Sequence, residues 1–529
     1  MAHGRSAVRS FFSAEAKDSV LFRDPICAVI AEPSADAMLA RIRAVLRGDP
    51  RKFRTVELRL DWLASGRELE RLLKRLPEEL ATRGKRAGSR LCVIATLRRR
   101  VAGGRFAGGT NAEMAGLLAA AKSGCAWCDL EIESAERLGA AGIRELRNAG
   151  ARILVSFHDF RRTPPDLADI VRRLKRCRGD AIKIATQCRT LGDSVRVLRA
   201  GRGRRNVVAV PMGDAGLPAR ILALREGSAI TYAALETATA PGQLSVAEMR
   251  ERYRADTIGE KTRVCGVIGD PVLHSLSPVL HNAAYVSRGM DAVYLPIPVR
   301  DVRDFVAVIP ELCLKGFSVT LPHKESMLRY LSECDPLAAK IGAVNTVVVR
   351  AGRLFGYNTD YVGVLSALTS RMTLAGARVL LLGAGGAARA AAFALAEAGA
   401  NVAICARRPA QAKQLARAVG GEAIPRKSVR GISFAAIINA TPLGWSHVGG
   451  APLEVREMRC DVAMDMVYRP LETPLLRNAA RKGIATVSGV EMFLAQAAAQ
   501  WEIWFGNRAP VGVMRRAVLA ALKQEKGGA

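Results

Sequence analysis

Arg378-Val379-Leu380-Leu381-Leu382-Gly383-Ala384-Gly385-Gly386-Ala387-Ala388-Arg389 is an apolar run that ends in a glycine turn, and an Ala-rich helical stretch follows it. Strand, tight turn and helix in that order begin a parallel α/β unit. Gly383, Gly385, Gly386 and Ala387 permit the turn and let a pyrophosphate approach the helix N-terminus, where unsatisfied N–H groups point outward. The next apolar run, Asn401–Cys405, ends in Ala406-Arg407-Arg408 with no acidic residue to bind a ribose 2′-hydroxyl. Cationic groups there favour a 2′-phosphate, hence NADP over NAD, while two solvated arginines are the plainer reading.

Outward from this segment, 529 residues exceed what one hydrophobic core serves, so two large domains are the simplest count. The net charge of +30 comes mostly from Arg dispersed through helical stretches such as Arg67–Arg75. Dispersed arginines form solvated faces, so no nucleic-acid partner is expected, whereas anionic small substrates suit a positive field. Most of the eleven Cys lie in apolar runs, as reduced core thiols do, and a cytoplasmic setting is expected. Cys125-Ala126-Trp127-Cys128 has redox-motif spacing but leads into an apolar strand, which favours packing. Residues 1–22 contain Arg and Ser without a long apolar run; Glu15 and Asp18 weigh against a transit peptide, and a plastid address is left open. No segment has the unbroken apolar length of a membrane span, and no metal site is expected. The oligomeric state is not legible.

Between residues 24 and 240, β-branched runs alternate with helical patterns. Eight strands are predicted, at Ile26–Ile30, Thr55–Leu60, Leu91–Thr96, Trp127–Ile132, Arg152–Phe157, Ala181–Ala185, Asn206–Val210 and Ile230–Ala233. Their spacing predicts a (β/α)8 TIM barrel. Ala247–Thr262 reads as a closing helix plus linker, with a boundary near residue 256, and a second α/β series starts at Arg263.

Lys183 interrupts the apolar strand Ala181-Ile182-Lys183-Ile184-Ala185. A buried ammonium is costly unless paired or deprotonated, so an amine nucleophile is the better reading. Strand alternation puts Glu57, Arg59 and Asp61 on one face and Asp129 and Glu131 on another, so several charges converge at one barrel mouth. A structural ion-pair network is the alternative for those charges. The strand before Lys183 ends in Ser156-Phe157-His158-Asp159. An imine on Lys183 would acidify the neighbouring carbon of a ketone, and His158 could take that proton, which defines β-elimination or aldol-type chemistry.

These segments resemble type I 3-dehydroquinate dehydratase over about residues 24–250. The matching pieces are Glu57-Leu58-Arg59-Leu60-Asp61, Thr96-Leu97-Arg98, Ser156–Phe160, Ile182–Ala185, Pro211-Met212-Gly213 with Arg220, and Ala240-Pro241-Gly242-Gln243. The resemblance implies that Lys183 forms a Schiff base with the C3 ketone and that His158 acts as base at C2, then as acid toward the C1 hydroxyl. It implies Arg220 on the substrate carboxylate, with Glu57, Arg59, Arg98 and Gln243 holding hydroxyls or the carboxylate. One departure stands out. The family places a Glu, which interacts with the catalytic His, beside two glycines; here that register reads Ala102-Gly103-Gly104. An alanine can neither accept a hydrogen bond nor tune an imidazole.

The second half resembles shikimate dehydrogenase, with a substrate-binding domain over 260–365 and an NADP-binding Rossmann domain over 366–525 whose last helices return to the first. The pieces include His274-Ser275-Leu276-Ser277-Pro278, Val319–Lys324, Gly342–Thr346, Asn358-Thr359-Asp360, Asn439–Gly444, Asp465–Tyr468 and Gly489–Gln496. By this resemblance Lys324 is the proton donor in hydride transfer and Asp360 pairs with it. Ser275 and Ser277 would bind the carboxylate with Tyr468 nearby, while Thr320, Asn345 and Gln496 would hold hydroxyls. Thr441 and Gly489 join the cofactor set. Taken together, the resemblances imply dehydration of 3-dehydroquinate and reduction of 3-dehydroshikimate to shikimate with NADPH. A quinate-preferring dehydrogenase and a non-catalytic metabolite sensor are the alternatives.

Overall fold

The structure is a computed structural model that describes residue 22 and residues 24–47, 54–81, 91–204, 206–235, 242–446 and 448–527. The chain divides into two compact units at Glu260 and Lys261, slightly beyond the expected boundary.

In the first unit the strands are β1 (Ile26–Ile30), β2 (Thr55–Arg59), β3 (Cys92–Thr96), β4 (Trp127–Glu131), β5 (Arg152–Asp159), β6 (Ala181–Gln187), β7 (Val207–Met212) and β8 (Thr231–Ala234). They form one parallel sheet in the order β7-β6-β5-β4-β3-β2-β1-β8. Near-continuous apolar strands suit this arrangement, since helices cover one face and the interior packs the other. Val29, Ile94, Trp127, Leu154 and Val208 belong to the core formed between the strands. The β7/β8 seam lacks a ladder, although the Ala229 N–H donates to the Val207 carbonyl across it at 2.9 Å. β5 and β6 run two residues longer than the sequence predicts, and their register pairs Ser156 with Lys183 and His158 with Ala185. His158 therefore lies nearer than Lys183 to the C-terminal mouth, where barrel enzymes assemble their chemistry. Cys125 and Cys128 are buried free thiols, and the Cys128 thiol donates to the Leu117 carbonyl at 3.5 Å, which confirms packing.

The second unit holds two six-stranded sheets. β9 (Arg263–Gly269), β10 (Ala292–Pro298), β11 (Leu314–Val319), β12 (Glu333–Cys334), β13 (Thr346–Arg350) and β14 (Arg353–Tyr357) are ordered β10-β9-β11-β13-β14-β12, with β13 antiparallel to both neighbours. β15 (Arg378–Leu382), β16 (Asn401–Cys405), β17 (Glu422–Ala423), β18 (Phe434–Asn439), β19 (Cys460–Asp465) and β20 (Ala485–Val487) form a parallel sheet ordered β17-β16-β15-β18-β19-β20. That is doubly wound topology, and its order reverses between β15 and β18, where a crevice opens at the strand ends. The helices Gly489–Phe505 and Val511–Gly527 return to the first sheet, packing Phe493, Trp501 and Met514 against Cys265 and Tyr285. Among the described residues no helix is long and apolar enough to cross a membrane.

The expected closing helix plus linker is met in part: residues 246–252 are helical, and the rest of 247–262 is made of turns. Glu248–Arg252 is a π-helical turn and Ala255–Thr257 a 3-10 turn, because Arg254 between them has φ +49°, through which no right-handed helix continues. The segment still seals the barrel, with Met249, Tyr253 and Ala255 buried. Arg250 reaches both Asp24 oxygens at 2.6 and 2.7 Å, and the Arg250 and Asp24 side chains are 11% and 3% exposed. Among the described residues, Arg250→Ala would leave the Asp24 carboxylate with only the Ile26 and Arg54 N–H groups, at a cost of about 1.5–3 kcal/mol for the lost charged hydrogen bonds. Urea denaturation followed by hydrogen exchange is expected to show that loss in residues 24–260 and leave the second unit unchanged.

Candidate active sites

Lys183 projects from β6 into the barrel and is 3% exposed. Its ammonium donates to Asp129 Oδ2 in a very short contact, and to Glu57 Oε1 at 3.5 Å and the Tyr232 hydroxyl at 3.3 Å. Asp129 also accepts from Ser156 Oγ at 2.5 Å and from Arg98 Nη2 at 3.1 Å, while Glu57 accepts from Thr96 Oγ1 at 2.8 Å. Burial opposes ionisation of Asp129, but Lys183 and Arg98 win and hold its carboxyl well below the usual range. Glu57 and Asp129, assigned to separate strand faces, both point inward because β2 and β4 are neighbours of β3 in a closed wall.

The His158 side chain is only 3% exposed. Arg98 Nη1 touches its Nε2, and Glu131 Oε1 lies 2.8 Å from Nδ1. Glu131 Oε1 is also 3.0 Å from Arg98 Nε. Both approaches are close in distance but off the N–H directions, so neither Glu131 oxygen receives a directed hydrogen bond. Burial, then the Arg98 and Lys183 charges, push the imidazole well below its ordinary pKa. Burial and nearby Asp129 push Glu131 up to about 7 against the pull of Arg98 and Lys183.

The remaining residues assigned to this site are placed unequally. Arg59 forms a two-pronged pair with Asp61 at 2.9 and 2.8 Å and does not touch Lys183. Arg220 lies in the helix Leu217–Leu222 and donates only to the carbonyls of Gly242 at 3.0 Å and Pro211 at 3.2 Å, while its Nε has no partner. Gln243 follows Gly242, whereas Ala240 and Pro241 fall outside the described residues. Ala102 ends the 3-10 turn Arg100–Ala102. Sequence reading did not assign Asp129, Glu131, Ser156 or Tyr232 to the site. The signal for Glu131 was there, since Asp129 and Glu131 share a face of the strand next to His158.

In the second unit Lys324 follows β11 and makes a very short contact with Asp360 Oδ2, at the start of the helix Asp360–Thr369. Asn345 donates to Asp360 Oδ1 at 2.8 Å and to Thr359 Oγ1 at 3.0 Å, and Gln496 Oε1 lies 3.5 Å from the same amide nitrogen. Behind them Gln500 donates to the Asn345 carbonyl at 3.2 Å and accepts from Ser318 Oγ at 2.8 Å, which fixes the Asn345 backbone. Thr320 follows β11, and its N–H donates to the Ile268 carbonyl at 2.9 Å. Ser275 Oγ accepts from the Ser277 N–H at 3.2 Å, and Tyr468 stacks on Phe493 at 4.5 Å.

The glycine turn follows β15. Gly383 has φ +118° and opens the turn, and Gly385 caps the helix Gly386–Glu397 with open space where a Cβ would stand. A Cβ on Gly386 would lie 3.2 Å from Lys324 Cβ, so the helix N-terminus comes directly against the Lys324/Asp360 pair. Arg407 and Arg408 are exposed just beyond β16, Thr441 is tied to Asn439 beyond β18 at 2.6 Å, and Gly489 opens the helix Gly489–Phe505. An open cradle at a helix N-terminus with two free-facing cations nearby fits a dinucleotide with a 2′-phosphate.

Comparison with known proteins finds matches along both units. A family model for type I 3-dehydroquinase matches residues 26–260, and one for the shikimate dehydrogenase substrate binding domain matches 267–347. The shikimate/quinate 5-dehydrogenase model matches 366–438, and the shikimate 5′-dehydrogenase C-terminal domain model matches 489–519. The bifunctional 3-dehydroquinate dehydratase/shikimate dehydrogenase of Arabidopsis thaliana, described as chloroplastic, is 34% identical over 516 residues, covering 92% of this chain and 82% of its own. The chain belongs to that bifunctional family. The NADP(+) shikimate dehydrogenase of Symbiobacterium thermophilum is 43% identical over 280 residues, covering 49% of this chain and 95% of its own. A crystal structure of the Thermus thermophilus enzyme with NADP(H) and shikimate is 38% identical, covers 49% of this chain and all of its own, and has a TM-score of 0.46.

Among the described residues Arg220 has no carboxylate partner, and burial pushes its guanidinium down to about 10. Such a group is stabilised by an incoming anion. A carboxylate or sulfate at one hundred times its Kd is expected to add about 2.7 kcal/mol to the stability of the first unit. Arg220→Leu should remove that increment and leave the ligand-free barrel at least as stable. Thermal denaturation with and without the anion reads both, and equal stabilisation of the variant would refute the assignment.

Proposed function

We propose that this chain dehydrates 3-dehydroquinate in its barrel and reduces 3-dehydroshikimate to shikimate with NADPH in its second unit. The observation that carries the reading is the pairing of a Lys with proton-handling partners at both sites, buried Lys183 with Asp129 and His158 nearby, and half-buried Lys324 with Asp360. A non-catalytic sensor has no use for either pair.

In the barrel, Lys183 gives up a proton to one of the carboxylates that touch it and attacks the C3 ketone. Loss of water from the carbinolamine yields an iminium that withdraws electrons from C2. His158 takes the C2 proton through Nε2 once Arg98 has turned from that nitrogen to a substrate oxygen. The same imidazolium then protonates the departing C1 hydroxyl, and hydrolysis of the imine returns the Lys183 amine with 3-dehydroshikimate. Arg220 holds the substrate carboxylate.

In the second unit NADPH, bound at the Gly383–Ala387 turn, supplies the hydride for the C3 ketone. Lys324 gives a proton to the oxygen as alkoxide character develops. Asp360 keeps Lys324 oriented, and Asn345 fixes Asp360 in turn, so the donor is positioned before reaction. Ser275 and Ser277 receive the carboxylate. Arg407 and Arg408 pair with the 2′-phosphate, and Thr441 and Gly489 flank the cofactor.

Borohydride added with 3-dehydroquinate is expected to fix substrate on Lys183, detected by peptide mass. Lys183→Ala should lose both adduct and dehydration while still reducing 3-dehydroshikimate; an adduct elsewhere would overturn the barrel assignment. Replacing Arg407 and Arg408 together with alanine should raise KM for NADPH about tenfold or more, as loss of charge-assisted hydrogen bonds predicts. KM for NADH should stay unchanged, and an equal rise for both cofactors would refute recognition of the 2′-phosphate.

A further inference from the structure

We propose that Glu131 is the positioning carboxylate of His158 in this chain, filling the part left open at Ala102. The inference rests on the dehydratase reading of the barrel and adds to it a residue that reading did not contain.

The geometry comes from two neighbouring strands. β4 pairs with β5 so that Glu131 stands opposite Ser156, and His158 lies two residues farther along β5. Asp129 and Glu131 therefore face the same interior one step apart. Asp129 is taken by Lys183, Ser156 and Arg98, and has nothing left for the imidazole. Glu131 makes no contact with Lys183 and lies 2.8 Å from His158 Nδ1. The Asp129-Leu130-Glu131 sequence thus gives one carboxylate to the nucleophile and one to the base.

The tautomer follows from Arg98. A guanidinium has only donors, so its contact with His158 Nε2 requires that nitrogen to be the acceptor. The proton of the neutral ring is then on Nδ1, on the side of Glu131. A carboxylate in that position fixes the tautomer that leaves Nε2 with a lone pair, and it stabilises the imidazolium that forms when Nε2 takes a proton. The off-axis approach fits a resting site. When Arg98 leaves Nε2 for substrate, a small ring rotation aligns Nδ1–H with Glu131, and catalytic hydrogen bonds commonly tighten in this way on binding.

The surrounding charges support the pairing. Arg98 from β3, Asp129 from β4, Lys183 from β6, Arg59 from β2 and Arg99 from the following turn all act on the pair. Burial and the cations hold His158 neutral, whereas burial and Asp129 bring Glu131 to about 7. The Ala102 methyl offers no alternative acceptor.

Full-length wild type, Glu131→Gln and Glu131→Asp are compared for dehydration across pH, for borohydride trapping on Lys183 and for near-ultraviolet circular dichroism. Glu131→Gln is expected to lower kcat about ten- to a hundredfold, the range typical when an orienting partner of a functional His is lost. KM should change little, and the Lys183 adduct should still form. The acid limb should move to lower pH, because removing the negative charge makes His158 harder to protonate. Glu131→Asp should recover part of kcat. A Glu131→Gln chain with wild-type kcat and acid limb overturns the proposal, and so does one that loses the adduct, since Glu131 would then serve Lys183 or the fold. Wild type without adduct or dehydration instead refutes the dehydratase reading itself.

Discussion

The Lys183 ammonium is surrounded by protein on nearly every side, and the barrel keeps it only because Asp129 faces it from β4. That ion pair sets demands on its neighbours. Arg98 contacts the same carboxylate, which brings a second cation into the interior, and Glu57 and Glu131 complete the cluster. Burial then penalises the charged form of each carboxylate in the cluster. The group with the fewest hydrogen bonds is the one that must yield, and Glu131, with none directed at it, is pushed up to about 7. The catalytic proton inventory is thus a consequence of packing charges in a closed barrel.

The second unit meets a different constraint, which is close approach. A Cβ at Gly386 would lie 3.2 Å from Lys324 Cβ, so glycine there eases the approach of the Gly386–Glu397 helix to Lys324. The doubly wound sheet places that helix at the point where strand order reverses, so the cofactor cradle and the Lys324/Asp360 pair come together through topology. Asn345, supported from behind by Gln500 and Ser318, then holds Asp360.

Much of this was legible because periodicity and cost point the same way. All eight barrel strands lie within two residues of their predicted ends, since apolar runs between helical segments have few other uses. Lys183 was legible because a charge in an apolar strand is expensive. Glu131 was legible as one of the charges converging at the barrel mouth, but its pairing with His158 was not, because only the β4/β5 register supplies that neighbour. The closing helix expected within 247–262 is short for a local reason: composition allowed more turns, but Arg254 is left-handed, and Met249, Tyr253 and Ala255 are buried around it. Arg59 was grouped with Glu57 and Asp61 by parity, and it is Asp61, in the following turn, that holds it.

The two units use the same pair of residue types for opposite ends, and their surroundings explain how. In the proposed dehydration Lys183 loses a proton and forms a carbon–nitrogen bond. Its neighbours are two carboxylates and a phenol, all at hand as acceptors, and the barrel wall keeps bulk water from the amine. In the proposed reduction Lys324 carries a proton to an oxygen that becomes basic only during hydride transfer. Its side chain is 15% exposed, it has Asp360 as its single ion-pair partner among the described residues, and Asn345 occupies the other oxygen of that carboxylate. One face of Lys324 therefore remains open toward the cleft while its charge is held in place. A Lys–Asp contact by itself specifies neither nucleophile nor acid; the second acceptor and the open face make the distinction.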